Sequence, residues 1–371
     1  MNLLLATDKF KGTATAREVC AALAAGLLAA RPGAQVRQLP LADGGDGTLA
    51  VLADHLPLAT TPVATRDPLG RPLTATYARH GAHAYIELAS ASGHALLTPG
   101  ERNPLRTSTY GTGLLLADAL ARGCTRVTLL LGGSATHDLG LGIAAALGVV
   151  FLDAQGKTFV PTGGTLGEVD AITLPQNPPW RGAAVALWCD VSNTLLGPRG
   201  AARVYAAQKG ASPGDIERLE EGGRQVLRKL EALTGQSLGA LAGGGAAGGI
   251  AIGLTGLLGA TLQPGFPAIR ALSGLDEDIA WADHVVTGEG QLDAASFEGK
   301  VVGHVAEACA RAGKPCSIVV GRSALTELPA PGGSPLAVHE LVDFARSEAE
   351  ALTAAGAVLT RLGAWLGARL G

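Results

Sequence analysis

Short apolar runs of strand length, each ending in a polar loop that opens a helix, recur along this chain and leave few folds open to it. Residues 3–7 form the first run, followed by the loop Asp8-Lys9-Phe10-Lys11-Gly12. Thr15-Ala-Arg-Glu18 then has capping-box spacing, and Val19, Leu23 and Leu27 follow at helical spacing until Pro32-Gly33 stops the run. Residues 35–41 read as a second strand, Asp43-Gly44-Gly45-Asp46-Gly47 as its loop, with a helix through His55. This βαβα order predicts a parallel sheet whose loops gather at the C-terminal ends of the strands.

The same grammar returns further on. Residues 127–131 read as a strand, Gly132-Gly133-Ser134-Ala135-Thr136-His137-Asp138 as its loop, and 141–147 as a helix. Residues 185–189 deliver Asp190 into a loop, and 199–208 and 215–233 read as helices, the second with a charged outer face. Towards the C-terminus, 283–287 reads as a strand and Gly288-Glu289-Gly290-Gln291-Leu292-Asp293 as its loop. A helix over 301–311, a buried strand over 317–320, a loop-like stretch over 328–336 and a final amphipathic helix over 347–370, packed on the outside, complete the chain. The end resumes the pattern of the beginning, and the turn cluster Asp67-Pro-Leu-Gly-Arg-Pro72 reads as the crossing into a second domain. We therefore expect two α/β domains: a parallel sheet built from both chain ends (residues 1–70 plus 270–371), and an inserted mixed α/β domain (residues 71–269). A length of 371 residues suits two cores.

Composition excludes several functions. A formal net charge of −3 with no dense Lys/Arg stripe leaves no footprint for nucleic acid. Cys20, Cys124, Cys189, Cys309 and Cys316 are scattered without CxxC spacing and read as reduced residues of a cytoplasmic protein. The N-terminal apolar run meets Asp8, Lys9 and Lys11 at once, which does not suit a signal peptide. Residues 238–263 carry no charge and are long enough to span a bilayer, but their Gly and Ala content and missing basic flank favour a packed segment. We expect no membrane and no nucleic-acid partner; a homo-oligomer is compatible with the sequence.

The strand-end loops carry Lys11, Asp43, Asp46, Ser134, Asp138, Asp190, Glu289 and Asp293. Glycine lets backbone N–H groups close on phosphate oxygens, carboxylates hold Mg²⁺ directly or through water, and lysine neutralises charge. Each element also has a plainer reading. Gly44-Gly45 and Gly132-Gly133 suit tight turns, Asp43, Asp138 and Asp190 suit helix N-caps, and Lys11 and Lys300 suit a solvated surface. His94 and His137 suit structural roles, and residues 243–249 a close helix-packing surface. What favours chemistry is the same polar vocabulary at nearly every strand end. No G-x-x-x-x-G-K-[ST], no dinucleotide fingerprint after the first strand, no G-x-S-x-G and no HExxH is present. On residues alone this is a two-domain α/β enzyme handling a small anionic ligand.

An ordered set of segments is similar to the bacterial glycerate kinase family. It comprises Phe10-Lys11-Gly12, Ala42-Asp-Gly-Gly-Asp-Gly-Thr48, Asp67-Pro-Leu-Gly-Arg-Pro72, Glu101-Arg-Asn-Pro104 and Thr107-Ser-Thr-Tyr-Gly-Thr-Gly113. Gly133-Ser-Ala-Thr136, Cys189-Asp-Val191 with Asn193, Leu196-Gly-Pro198 and Gln208-Lys-Gly-Ala211 follow. Gly245-Ala-Ala-Gly-Gly249, Thr287-Gly-Glu-Gly290, Leu292-Asp293 and Gly299-Lys300 close the series. The resemblance implies ATP-dependent phosphorylation of D-glycerate, commonly at the 2-hydroxyl, and a flavodoxin-like domain from both chain ends beside a separate α/β domain. Three departures bear on fine specificity. His137-Asp138-Leu139-Gly140 stands where Asn-Asp-Gly-Gly is usual, Lys9 where Ser is usual, and Ala295 where Gln is usual.

Residue chemistry and loop position then suggest roles, with ATP, Mg²⁺ and glycerate meeting in a cleft between the domains. Lys11 and Lys300 steady phosphates, and Asp190 orients or deprotonates the acceptor hydroxyl. Arg102 clamps the substrate carboxylate, with Ser134, Thr136 and Asn193 also on the substrate. Gly44, Gly45, Gly288 and Gly290 are the nucleotide or phosphate candidates; Asp43, Asp46, Glu289 and Asp293 are the Mg²⁺ candidates. The rival readings are a kinase for another small hydroxy acid and a non-catalytic organic-acid-binding protein. An oxidoreductase acting on hydroxypyruvate is disfavoured by the missing dinucleotide fingerprint.

Overall fold

The computed structural model describes all residues except 298, 326–335 and 371, and the side chain of Ala295. Most of the loop expected over 328–336 therefore lies outside the described residues. The chain divides into two compact units, Met1–Asp43 with Pro264–Gly371, and Gly44–Gln263. In chain order the strands are β1 (Asn2–Thr7), β2 (Gln35–Gln38), β3 (Ala59–Arg66), β4 (Pro72–His80), β5 (His83–Glu87), β6 (Arg126–Leu130) and β7 (Val150–Leu152). They continue as β8 (Thr158–Phe159), β9 (Ala171–Thr173), β10 (Ala184–Trp188), β11 (Thr261–Gln263), β12 (His284–Leu292), β13 (Cys316–Ser323) and β14 (Ala337–Glu340).

In the first unit the sheet is parallel throughout, in the order β2-β1-β12-β13-β14. Numbered within the unit this is 2-1-3-4-5, the flavodoxin order, whose switch point falls between β1 and β12. Leu3, Leu4, Leu5 and Ala6 are all buried, as an inner parallel strand covered on both faces requires. Beyond β2 the chain stays bonded to β1, with Leu39 N donating to Leu5 O and Leu41 N to Thr7 O, which carries Asp43 down to the C-terminal end of β1.

The Thr15–Glu18 capping box forms with both arms and starts the helix Ala16–Ala30. That helix packs on the helix Ala355–Arg369, and Leu23, Leu27, Leu359, Leu362 and Leu366 share one core. The single final helix expected over 347–370 is two helices, Glu348–Thr353 and Ala355–Arg369, broken at Ala354 (φ −130°, ψ 35°). The first is capped by Ser347; the second turns its apolar stripe onto Ala16–Ala30. The expected loop 288–293 is also different. β12 continues to Leu292 along β13, with Gln291 opposite Arg322 and Leu292 opposite Ser323. Gly288 sits in this strand because a Cβ there would run into the Val319 carbonyl of β13.

In the second unit a six-stranded mixed sheet runs β11-β10-β6-β5-β4-β3, parallel from β11 to β5 and antiparallel through β4 and β3. A small antiparallel sheet has the order β8-β7-β9. The Asp67–Pro72 segment, read above as the crossing, instead closes the β3–β4 hairpin. The Asp67 carboxylate accepts from Leu69 N and Arg71 N, both at 2.9 Å, and pairs with the Arg71 guanidinium. Because β3 and β4 pair into this sheet, the units part at Asp43/Gly44, and the return comes at Gln263/Pro264 rather than at 269/270. The charge-free stretch supplies the buried helix Ala246–Leu258, and no described helix is long and apolar enough to cross a membrane.

The contact between Ala16–Ala30 and Ala355–Arg369 runs backbone to backbone at Gly26, where a Cβ would collide with the Thr360 carbonyl. Gly26→Ala should therefore lower stability by about 1–3 kcal/mol through overpacking. The check is the first transition in urea unfolding, with Gly33→Ala, where a Cβ meets nothing within 4 Å, as the control. Equal midpoints for the two variants would contradict this packing.

Candidate functional site

At the switch point of the first unit the register sets Thr7 opposite Gly288, so β1 and β12 deliver Asp8 and Glu289 at the same level. Asp8 N donates to Gly288 O at 2.9 Å, and the Asp8 carboxylate accepts from Lys9 N at 2.6 Å, with Lys9 Nζ 3.9 Å away. Burial, opposed by Lys9 and helped by the charges of Asp43 and Glu289, pushes the Asp8 carboxyl up to about 7. Burial also raises Glu289; Lys300 and a Ser296 hydrogen bond oppose it, while Asp293 and Asp43 add to it. Lys300 Nζ lies 3.4 Å from Asp293 Oδ1 and 3.8 Å from Glu289 Oε2. Asp293 also caps the turn Ala294–Phe297 by accepting from Ser296 N at 3.2 Å. Lys11 sits exposed in the tight turn that Phe10 N closes onto Ala14 O.

Asp43, Glu289, Asp293 and Lys300 thus meet in one electrostatic cluster, and Asp8, which sequence reasoning passed over, is its most perturbed member. Its signal was its place directly after the first strand, the position the switch-point rule favours. Like-charged carboxyls that raise one another suit a divalent cation. Glu289 Oε1, buried and without a hydrogen-bond partner among the described residues, adds a ligand-ready oxygen. Among the described residues no three His, Cys, Asp or Glu side chains group closely enough to hold a metal ion. Glu289 and Asp293, both beside Lys300, fit the one or two carboxylates with which Mg²⁺ is usually held together with phosphates and water.

The second unit holds Gly44, Gly45 and Asp46. Their loop packs on Gly132, where a Cβ would collide with Asp46 N, and leads into the helix Thr48–His55. Leu49 N in the first turn of that helix donates to the Glu87 carboxylate at 2.9 Å, so an anion already answers its N-terminus. Gly290 of the first unit approaches Lys11 N from within β12. None of the glycines read as phosphate-binding therefore lies in a free Gly-rich loop: Gly44 and Gly45 form a packed turn, and Gly288 and Gly290 belong to a strand.

Asp138 organises the loop after β6. Its fully buried carboxylate accepts from Thr109 N (2.7 Å), Thr109 Oγ1 (2.8 Å), Ser108 Oγ (3.3 Å), Gly142 N (3.2 Å) and Gly140 N (3.3 Å). Burial raises its carboxyl, and these hydrogen bonds hold it back. It meets the first turn of the short helix Leu141–Ala146 through Gly142 N, but the N-cap of that helix is Gly140, so Asp138 is not the helix N-cap of the plainer reading. Thr107 Oγ1 bonds Ala135 O, Leu139 N bonds Gly248 O, and Ser134 Oγ bonds Ala247 O at 3.3 Å. Segments far apart in sequence, 107–113, 133–138 and 245–249, are thereby sewn together.

Lys209, quoted in a motif but not singled out, enters the same place. It is buried, and its ammonium donates to Thr136 O at 2.6 Å and to Ser134 Oγ at 3.3 Å. Burial, partly offset by Asp138, pushes it down to about 7. His137 is buried beside it and pushed down to about 3 by burial and by the Lys209 charge, so it stays neutral near pH 7. Gly210 lies against the Arg102 backbone, where a Cβ would collide with the Arg102 carbonyl. Arg102 Nε is buried without a hydrogen-bond partner among the described residues, which suits an acceptor ligand. Asp190 stands half-buried just beyond β10. Asn193 is engaged at both ends of its amide, donating to Arg199 O at 2.8 Å and accepting from Tyr205 OH at 2.7 Å, which ties its side chain to the 193–205 loop.

A family model described as the glycerate kinase family matches residues 3–370. A Halalkalibacterium halodurans protein named glycerate kinase is 38% identical over 86% of this chain and 85% of its own length. An Escherichia coli protein named glycerate 2-kinase is 34% identical over 86% of this chain and 85% of its own. A Salmonella typhimurium LT2 crystal structure assigned as glycerate kinase 2 superposes with a TM-score of 0.78 at 33% identity, covering 100% of this chain and 98% of that one. With the switch-point carboxylates and the sewn loop junction already in hand, a match of this extent establishes that the chain belongs to the glycerate kinase family.

Proposed function

We propose that this chain catalyses ATP-dependent, Mg²⁺-requiring phosphorylation of D-glycerate to 2-phosphoglycerate, with 3-phosphoglycerate the less favoured product. One observation carries the reading most: in each unit the C-terminal ends of parallel strands gather charge that a different part of the reaction would use. The first unit offers crowded carboxylates with Lys300; the second offers Arg102, Lys209 and the Ser134 hydroxyl. The name of the Escherichia coli relative favours the 2-hydroxyl. The free cysteines support a reducing, cytoplasmic setting.

Phosphoryl transfer needs positioning and charge neutralisation more than covalent chemistry. Asp43, Glu289 and Asp293 of the first unit are assigned to the metal, with Asp8 added to that set. Mg²⁺ bound with the nucleotide supplies charge neutralisation across the phosphate oxygens. Lys300 and Lys11 add positive charge against the phosphates. Asp190 orients the acceptor hydroxyl and takes its proton, Arg102 holds the carboxylate, and Ser134 and Thr136 hydrogen-bond the acid. Asn193 acts by holding the 193–205 loop in shape.

Incubation with ATP, Mg²⁺ and D-glycerate, read by ³¹P NMR against authentic standards, should give 2-phosphoglycerate; no phosphoglycerate from folded protein would reject the reading. Asp190→Asn should lower kcat by about 10²-fold or more while ATP affinity holds. Near-normal turnover would remove Asp190 as base. Arg102→Ala should raise the glycerate KM by roughly tenfold or more, and an unchanged KM would remove the clamp.

A further inference from the structure

We propose that Lys209 is a second cation of the acceptor site, its ammonium taking the carboxylate of a short hydroxy acid together with the Ser134 hydroxyl. This deepens, and rests on, the reading of the chain as a kinase for such an acid. Lys209 is 3% exposed, and among the described residues its ammonium has only neutral partners, Thr136 O and Ser134 Oγ. Among the described residues no carboxylate forms an ion pair with it. An ammonium has three hydrogens to donate, and two are used here. Burying a cation without an anion is costly, and an apolar side chain of the same volume would stabilise the fold better. The lysine is therefore explained by a ligand more readily than by folding.

The neighbouring charge does not remove the need. Among the described residues Asp138 is the one anion acting on Lys209, and its oxygens are taken up by the five donors of the 107–142 junction. His137, the other titratable neighbour, is held neutral. A monoanionic carboxylate balances one buried ammonium, whereas a polyphosphate would bring unbalanced negative charge beside Asp138. The surrounding loops are also strained in the way ligand clamps are: Leu139 (φ 54°) and Ala247 (φ 51°) are non-glycine residues in the left-handed region, in segments joined by the Leu139 N–Gly248 O bond. Gly210 fixes the Lys209 turn to Arg102, the residue already assigned to the carboxylate.

Two consequences separate this from a structural strut. A carboxylate against the ammonium raises its pKa from about 7, so acid binding above that pH takes up a proton. Without ligand, the unfolded chain holds the Lys209 proton more tightly than the folded one between about 7 and the ordinary 10.5, so the wild-type fold gains stability over a Lys209→Met variant as pH rises through that range.

The test is calorimetry of D-glycerate binding at about pH 8 in buffers of different ionisation enthalpy, with Lys209→Met beside wild type. Expected results are proton uptake in wild type that is lost in the variant, D-glycerate affinity weakened about tenfold or more, an unchanged KM for ATP, and an unfolding midpoint that is equal or higher. A folded Lys209→Met protein with unchanged D-glycerate affinity overturns the proposal, as does a lower midpoint with affinity intact. If the variant does not fold, wild type decides alone: D-glycerate binding without proton uptake overturns it. Proton-linked binding without any phosphoglycerate formed would sustain the carboxylate site and reject the kinase reading. Phosphoglycerate formation with a glycerate KM indifferent to Lys209→Met would do the reverse.

Discussion

The buried Asp138 carboxylate is the interaction on which the second unit depends. A lone ionised carboxyl in that position would be unstable, and five hydrogen-bond donors drawn from residues 108–109 and 140–142 make it tenable. Satisfying it fixes the loop after β6, which sets where Ser134 and the Thr136 carbonyl point, and those two oxygens in turn receive the Lys209 ammonium. The Asp138 charge ties residues 108–109 to 140–142, and neutral hydrogen bonds from Thr107, Ser134 and Leu139 extend the junction to 133–138 and 245–249.

The two units handle charge in opposite ways. At the β1/β12 switch point carboxyls crowd together, and Asp8 and Glu289 are pushed towards their protonated forms by burial and by their neighbours. In the second unit an ammonium is buried and pushed towards its neutral form. Groups in either condition are costly to the fold alone and are relieved by a ligand of opposite charge. The proposed metal–nucleotide and small-acid ligands would each relieve one of these two conditions.

Much of the architecture was legible because its signals are local. The Thr15–Glu18 capping box, the apolar residues 3–6 of β1 and the Asp190 loop are each read from a few neighbouring residues. The hairpin β3–β4 was missed because its inward face is made partly of Thr61, Thr65 and Ala75, too weakly apolar to register as alternation. The Asp67–Pro72 turn then passed for a domain crossing. Gly288 and Gly290 look like a loop in sequence, and only the proximity of β13 to the first and of the Phe10–Lys11 backbone to the second shows why the strand needs glycine there. Lys209 and Asp8 escaped for a different reason: lysine and aspartate are ordinarily exposed, and both are buried here against residues far away along the chain, Thr136 and Ser134 for the one, Gly288 for the other.

The most direct single measurement is a crystal structure of the protein with D-glycerate bound. The account predicts the substrate carboxylate in hydrogen-bond range, about 3 Å, of Lys209 Nζ and Ser134 Oγ, with its hydroxyls left available for phosphorylation. Glycerate bound away from the Lys209–Ser134–Thr136 junction, with Lys209 still held only by neutral oxygens, would contradict it.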